Sequence, residues 1–230
     1  MRTPQTKGAI LILESPWELN AHDANRSSVY PFFDGLAKRY GDIEVSRATF
    51  YDEQSFDDGL DKLCRVPHRN TVVYVAAHGS TTHAGAHLTD VTCSVRRRSK
   101  EFNITGMLLG SCYAGYATKA HQLGLEGSHL RWIIGYASAC EWLTGTMIDC
   151  ALLDEAVRFQ KNSFSRNNLV KRFSQALMPF SSGTPIGLDI GKDPMALRDS
   201  LQIVVQPTGP GKRAAVISDE VFAAHAKLQL

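Results

Sequence analysis

Five short strand-like segments, four of them apolar runs closed by polar or glycine-rich residues, and the stretches of helical periodicity between them constrain the fold of this chain more than any other feature. Ala9 to Leu13 is the first, and Glu14-Ser15-Pro16 ends it. The run is continuous rather than alternating, which is the pattern of a strand covered on both faces, as in a parallel sheet. Thr71 to Ala77, Ile104 to Leu109 and Trp132 to Tyr136 repeat the theme, and Ile43 to Ala48, which mixes polar with apolar residues, can return as the second strand. Between them the spacing predicts helices over 25–40 (Val29, Phe32, Phe33, Leu36 and Tyr40 on one face, Gly41 as the stop), 55–63, a short basic helix over 94–102, a helix after Gly115 through Leu123, and a long one over 142–159. Residues 81–94 read as a loop or small hairpin.

Further on, 165–178 reads as helix. Residues 179–194, rich in Ser, Gly, Pro and Asp, read as a surface loop, and Leu201 to Val205 as an edge or sixth strand. The tail after Pro210 holds one more strand or helix. Strands alternating with helices imply right-handed crossovers, a mostly parallel sheet covered on both faces, and a ligand site beyond the carboxyl ends of the strands. The fold class is α/β. With 230 residues the chain fits one domain over 1–230, with 8–160 as its core and 161–230 as an extension that completes it.

Composition removes several alternatives. Hydrophobic residues at 43% and charged ones at 21% exclude a disordered chain. A net charge of +2 gives no general attraction to nucleic acid, and Arg96-Arg97-Arg98 reads as a solvated face. The five cysteines form no CxxC pair and are odd in number, so neither a zinc knuckle nor a disulfide scaffold is suggested. No run approaches the roughly 20 apolar residues that span a bilayer. The expected setting is a reducing cytoplasm, with no membrane and no nucleic-acid partner.

Two strand ends carry chemistry. The third run closes in His78-Gly79 and the fourth in Gly110-Ser111-Cys112. If these strands are parallel neighbours, an imidazole and a thiol meet on one rim. Imidazole is the group suited to take a proton from a thiol near neutral pH, and the thiolate is the nucleophile. The N–H groups of Gly79 and Cys112, where the chain turns, are candidates for an oxyanion hole. Cys93, Cys140 and Cys150 read as core or incidental, with the reservation that Cys140, just after the fifth strand, can lie on the same rim. His83, His87 and Asp90 invite a metal reading, but Gly85 and the turn-like composition argue against it. No metal or other cofactor is expected.

VVYVAAHGS and GMLLGSCYAG resemble the histidine and cysteine motifs of the caspase-like cysteine peptidases, the group that includes metacaspases, legumain, separase and gingipains. The resemblance spans about residues 8–160. It implies a three-layer α/β/α sandwich and a cysteine-type endopeptidase that works through an acyl-enzyme without a metal. Cys112 would be the nucleophile, His78 the proton-transfer residue, and Gly79 with Cys112 the oxyanion hole. Many relatives carry Asp, Glu or Gln two places before the cysteine, where this chain has Gly110, so pocket charge must come from elsewhere.

By the same resemblance, the segments after the first and fifth strands line the substrate pocket. Here they supply Glu14, Glu18, Ser138, Glu141 and Asp149, with no arginine but Arg26, and so a basic P1 residue is expected. The partner implied is a protein or peptide substrate, in bacterial relatives often a dedicated target in defence or cell death. Two other readings stay open: a non-catalytic protein-binding scaffold of the same fold, and a small-molecule thiol hydrolase using the same dyad.

Overall fold

The apolar runs become the parallel strands of a single seven-stranded sheet in the computed structural model, which describes residues 7–16 and 28–229. The strands are β1 (Gly8–Glu14), β2 (Ile43–Thr49), β3 (Asn70–Ala76), a small hairpin of β4 (His83–Ala84) and β5 (Ala86–His87), β6 (Ile104–Gly110) and β7 (Trp132–Tyr136). A second hairpin pairs β8 (Pro185–Leu188) with β9 (Pro194–Ala196), and β10 (Leu201–Val205) and β11 (Ala215–Val216) follow. The helices are α1 (Tyr30–Tyr40), α2 (Glu53–Leu63), α3 (Leu88–Ser99), α4 (Thr118–Leu125), α5 (Trp142–Ala156), α6 (Arg166–Ala176), α7 (Leu197–Ser200) and α8 (Ser218–Leu228).

In the main sheet the order is β11-β10-β7-β6-β3-β1-β2; β2, β1, β3, β6 and β7 run parallel, and β10 and β11 are antiparallel additions. Each central strand buries both faces. In β3, Val72, Tyr74 and Ala76 join one apolar layer with Phe33, Ile148, Leu152 and Phe173 of α1, α5 and α6. Val73 and Val75 join the opposite layer with Phe56, Leu60, Val91 and Leu125 of α2, α3 and α4. This double coverage is the physical reason the runs are continuous rather than alternating, and it makes the molecule an α/β/α sandwich.

Four local expectations need correction. The helix after the first hairpin begins at Leu88 rather than near 94, because the His87 side chain accepts the Thr89 N–H and caps it. Residues 179–194 are not simply loop: they hold β8, whose carbonyls receive the N–H groups of Ala139 and Glu141 at 2.8 Å each. Of the two alternatives for Leu201 to Val205, the sixth strand holds and the edge does not, since β7 and β11 flank it. The tail supplies both a strand and a helix. In β6, Gly106 is a packing requirement, since a β-carbon there would fall inside the indole of Trp132 on the neighbouring strand.

Candidate active site

Parallel pairing of β3 with β6 brings Ala76 opposite Gly110, so His78-Gly79 and Ser111-Cys112 leave the sheet side by side at its carboxyl edge. Gly79 is pressed against the cysteine: a β-carbon on it would overlap the Cys112 carbonyl oxygen and stand 2.7 Å from the Cys112 nitrogen. His78 is exposed and Cys112 half-buried, and both line one cavity of about 160 Å³. The sequence-derived pair therefore shares a site open to solvent.

The main chain around the pair is tightly specified. The Ser80 N–H donates to the His83 carbonyl and the Gly85 N–H to the His78 carbonyl, both at 2.9 Å, which ties the histidine turn to the β4-β5 hairpin. Among the described residues, the N–H groups of Gly79 and Cys112 are engaged in no hydrogen bond, so two donors remain at the turn. Tyr113, with φ 62°, holds the left-handed conformation that non-glycine residues seldom adopt. Its N–H donates to the Ser138 carbonyl at 3.0 Å and its hydroxyl to the Leu188 carbonyl at 3.3 Å. The Cys140 N–H points at the Cys112 sulfur at 3.4 Å.

Beneath the cysteine lies a buried acid. Asp149 of α5 is 2% exposed and accepts hydrogen bonds from Tyr74 (2.6 Å) and Tyr136 (2.7 Å), which rise from β3 and β7. Burial pushes its carboxyl up to about 7, while the two tyrosine donors oppose the shift. Gly110 makes room for this cluster, because a β-carbon there would lie 2.6 Å from the Tyr74 hydroxyl and 2.9 Å from Asp149 Oδ2. Gly110 thus leaves room for an acid supplied by another element.

The remaining candidates lie elsewhere or serve other ends. The Glu14 carboxylate accepts the Val29 and Tyr30 N–H groups at the start of α1 and pairs with Arg47 at 3.4 Å. Glu141 borders the cavity, but its two oxygens accept the Thr144 hydroxyl and the Thr144 and Leu143 N–H groups at the start of α5, and those bonds, the hydroxyl's first, hold its carboxyl below the usual range. Ser138 is buried, with its hydroxyl on the Ala139 carbonyl and Ser200. Glu18 and Arg26 lie outside the described residues. The His83 and His87 rings meet edge to face, 5.0 Å apart. Among the described residues no group of three or more His, Cys, Asp or Glu side chains is placed to hold a metal ion.

Sequence reasoning missed Tyr74, Tyr136 and Trp142, which also line the cavity. A signal existed for the tyrosines, since a phenol inside an otherwise apolar buried strand needs a hydrogen-bond partner.

No protein-family model and no curated protein matches this sequence. Among solved structures the chain is similar to iotapain, a secreted C11 cysteine protease from Bacteroides thetaiotaomicron, with a TM-score of 0.52 and 8% identity over 87% of this chain and 67% of that one. The fold is that of the caspase-like, clan CD cysteine proteases.

Proposed function

We propose that this protein is a cysteine endopeptidase in which Cys112 is the nucleophile and His78 its acid-base partner, cutting after a basic P1 residue. The observation that carries the reading is that an exposed histidine and a half-buried cysteine follow adjacent strand ends and line one cavity with a buried carboxylate.

His78 takes the Cys112 proton and the sulfur attacks the scissile carbonyl. The oxygen, now negative, turns to the free N–H groups of Gly79 and Cys112, where fixed donors favour charge as it develops. The imidazolium returns the proton to the departing amine, leaving a thioester on Cys112. A water activated by the same imidazole then hydrolyses it, and general acid-base help of this kind contributes roughly 10²- to 10⁴-fold.

Asp149 is the group suited to a cationic P1 side chain. The cavity of about 160 Å³ fits one side chain rather than a fold, and its wall includes Trp142, against which an aliphatic stem can lie. A reducing compartment, a protein loop or linker as substrate and a dedicated target complete the reading; all five cysteines are free, and no described helix is long and apolar enough to cross a membrane.

The test is to incubate wild type and Cys112→Ala with a proteome-derived peptide library and read the cut sites by mass spectrometry. Cuts after Arg or Lys that vanish in the variant support the proposal. Cuts after Asp overturn the pocket assignment, and turnover of small acyl esters with no peptide cut points to a thiol hydrolase.

A further inference from the structure

Cys140 is a second thiol at the mouth of the site for which peptide cleavage has no use. It lies between β7 and α5, outside regular structure, and is half-buried. Its N–H donates to the Cys112 sulfur at 3.4 Å, and both residues line the same cavity. Its own sulfur faces Gly145 of α5, where a β-carbon would stand 2.8 Å away, so the glycine keeps space around it. The other thiols are placed differently. Cys64 packs in the opposite apolar layer, Cys93 is exposed on α3, and Cys150, although it packs against the same layer as Cys140, does not line the cavity.

We propose that Cys112 and Cys140 form a redox pair, in which a peroxide oxidises Cys112 and Cys140 captures the product as a disulfide that closes the cavity. This rests on the reading of Cys112 as the reactive nucleophile. The Cys112 sulfur attacks one peroxide oxygen, the O–O bond breaks, and the departing hydroxide takes a proton to become water, leaving a sulfenic acid. The Cys140 sulfur then attacks the sulfenic sulfur, the S–O bond breaks, and the second hydroxide leaves as water with the Cys140 proton. Two thiols lose two electrons in all, and one hydrogen peroxide becomes two waters.

The order of events follows from the surroundings. Burial pushes the Cys140 thiol well above the usual range, which suits it to the second step rather than to the first encounter with peroxide. A disulfide needs its α-carbons within roughly 4.4–6.8 Å, and the main-chain contact between residue 140 and the Cys112 sulfur leaves only a loop adjustment to reach that range. Closure spares Cys112 from irreversible oxidation and blocks entry to Asp149.

The experiment uses the reduced full chain, a modest excess of hydrogen peroxide, alkylation of remaining thiols, trypsin and mass spectrometry. The expected product links peptide 101–119 to peptide 132–158, with fragment ions assigning the bond to Cys140. It persists in Cys150→Ala and disappears with dithiothreitol. In Cys140→Ala the link is lost and Cys112 proceeds to a sulfinic acid that dithiothreitol does not recover, with Cys140→Ser serving where alanine disturbs the loop. Sulfinic acid forming in wild type as fast as in the variants, with no link, overturns the proposal, as does a link to Cys150. The readout is the mass of Cys112 rather than peptide cleavage: a chain that forms the link but cuts nothing keeps the pair and loses the peptidase reading, and a chain that cuts without linking does the reverse.

Discussion

Gly79 and Cys112 touch through their backbones, so closely that residue 79 has no room for a side chain. Gly79→Ala must therefore push the histidine turn away from the cysteine. The expected result is a loss of at least about 100-fold in kcat/KM, the scale of one oxyanion donor, with a stability loss of about 1–3 kcal/mol for local overpacking. Peptide-cleavage kinetics beside urea unfolding of the same variant check both. Unchanged kinetics would remove Gly79 from the oxyanion hole.

Thiol labelling separates Cys112 from the other cysteines. Burial pushes the Cys64 and Cys150 thiols up to about 12, so iodoacetamide at pH 7 should reach Cys112 and the exposed Cys93 first. His78→Ala slows alkylation at Cys112 and leaves Cys93 unchanged, as read by peptide mass spectrometry over time. Equal slowing at both sites, or none, would contradict the pairing.

The Asp149 carboxyl, pushed up to about 7, makes P1 preference depend on pH. Below that value the acid is neutral and offers a cation little; above it the carboxylate is charged. The kcat/KM ratio of an Arg-P1 substrate to a neutral-P1 substrate is expected to rise about tenfold from pH 6 to 8, following the ionised fraction. In Asp149→Asn the ratio is low and flat. Stability moves the other way. The folded state keeps a proton that the unfolded chain releases near pH 4, so wild-type stability falls between about pH 4 and 7 and levels above. Denaturant midpoints of wild type and Asp149→Asn across that window test the sign, the decline being absent in the variant.

Gly106 and Trp132 form a packing pair across β6 and β7. Gly106→Ala is expected to lose more than about 3 kcal/mol, at or beyond the upper end for core overpacking. Gly106→Ala combined with Trp132→Phe loses less than the sum of the single changes, since the smaller ring relieves the clash. Urea midpoints of the three variants give the coupling, and strict additivity would refute the contact.

The strands and the His78–Cys112 pair were legible because burial on both faces leaves continuous apolar runs, and the polar residues that end them mark the rim. The pocket acid was harder to single out. Glu14 ends a strand, Glu141 precedes a helix and Asp149 lies midway along α5, and only coordinates distinguish the two that cap helices from the one that meets Tyr74 and Tyr136. The hairpin of β8 and β9 was hidden for a different reason. Pro185, Gly187 and Pro194 carry little strand preference, and β8 is held by pairing with β9 and by main-chain bonds from Ala139 and Glu141, which composition does not encode.

The stretch from Ser138 to Glu141 borders the mouth of the cavity, yet its amides at 139 and 141 face β8, its amide at 140 faces a sulfur, and its carbonyl at 138 holds Tyr113. An extended ligand laid along this wall finds few vacant amides with which to build a ladder. Recognition then falls on the single side chain that drops inward, and a ligand whose main-chain carbonyls are replaced by weakly accepting fluoroalkene isosteres keeps most of the affinity of its unmodified parent.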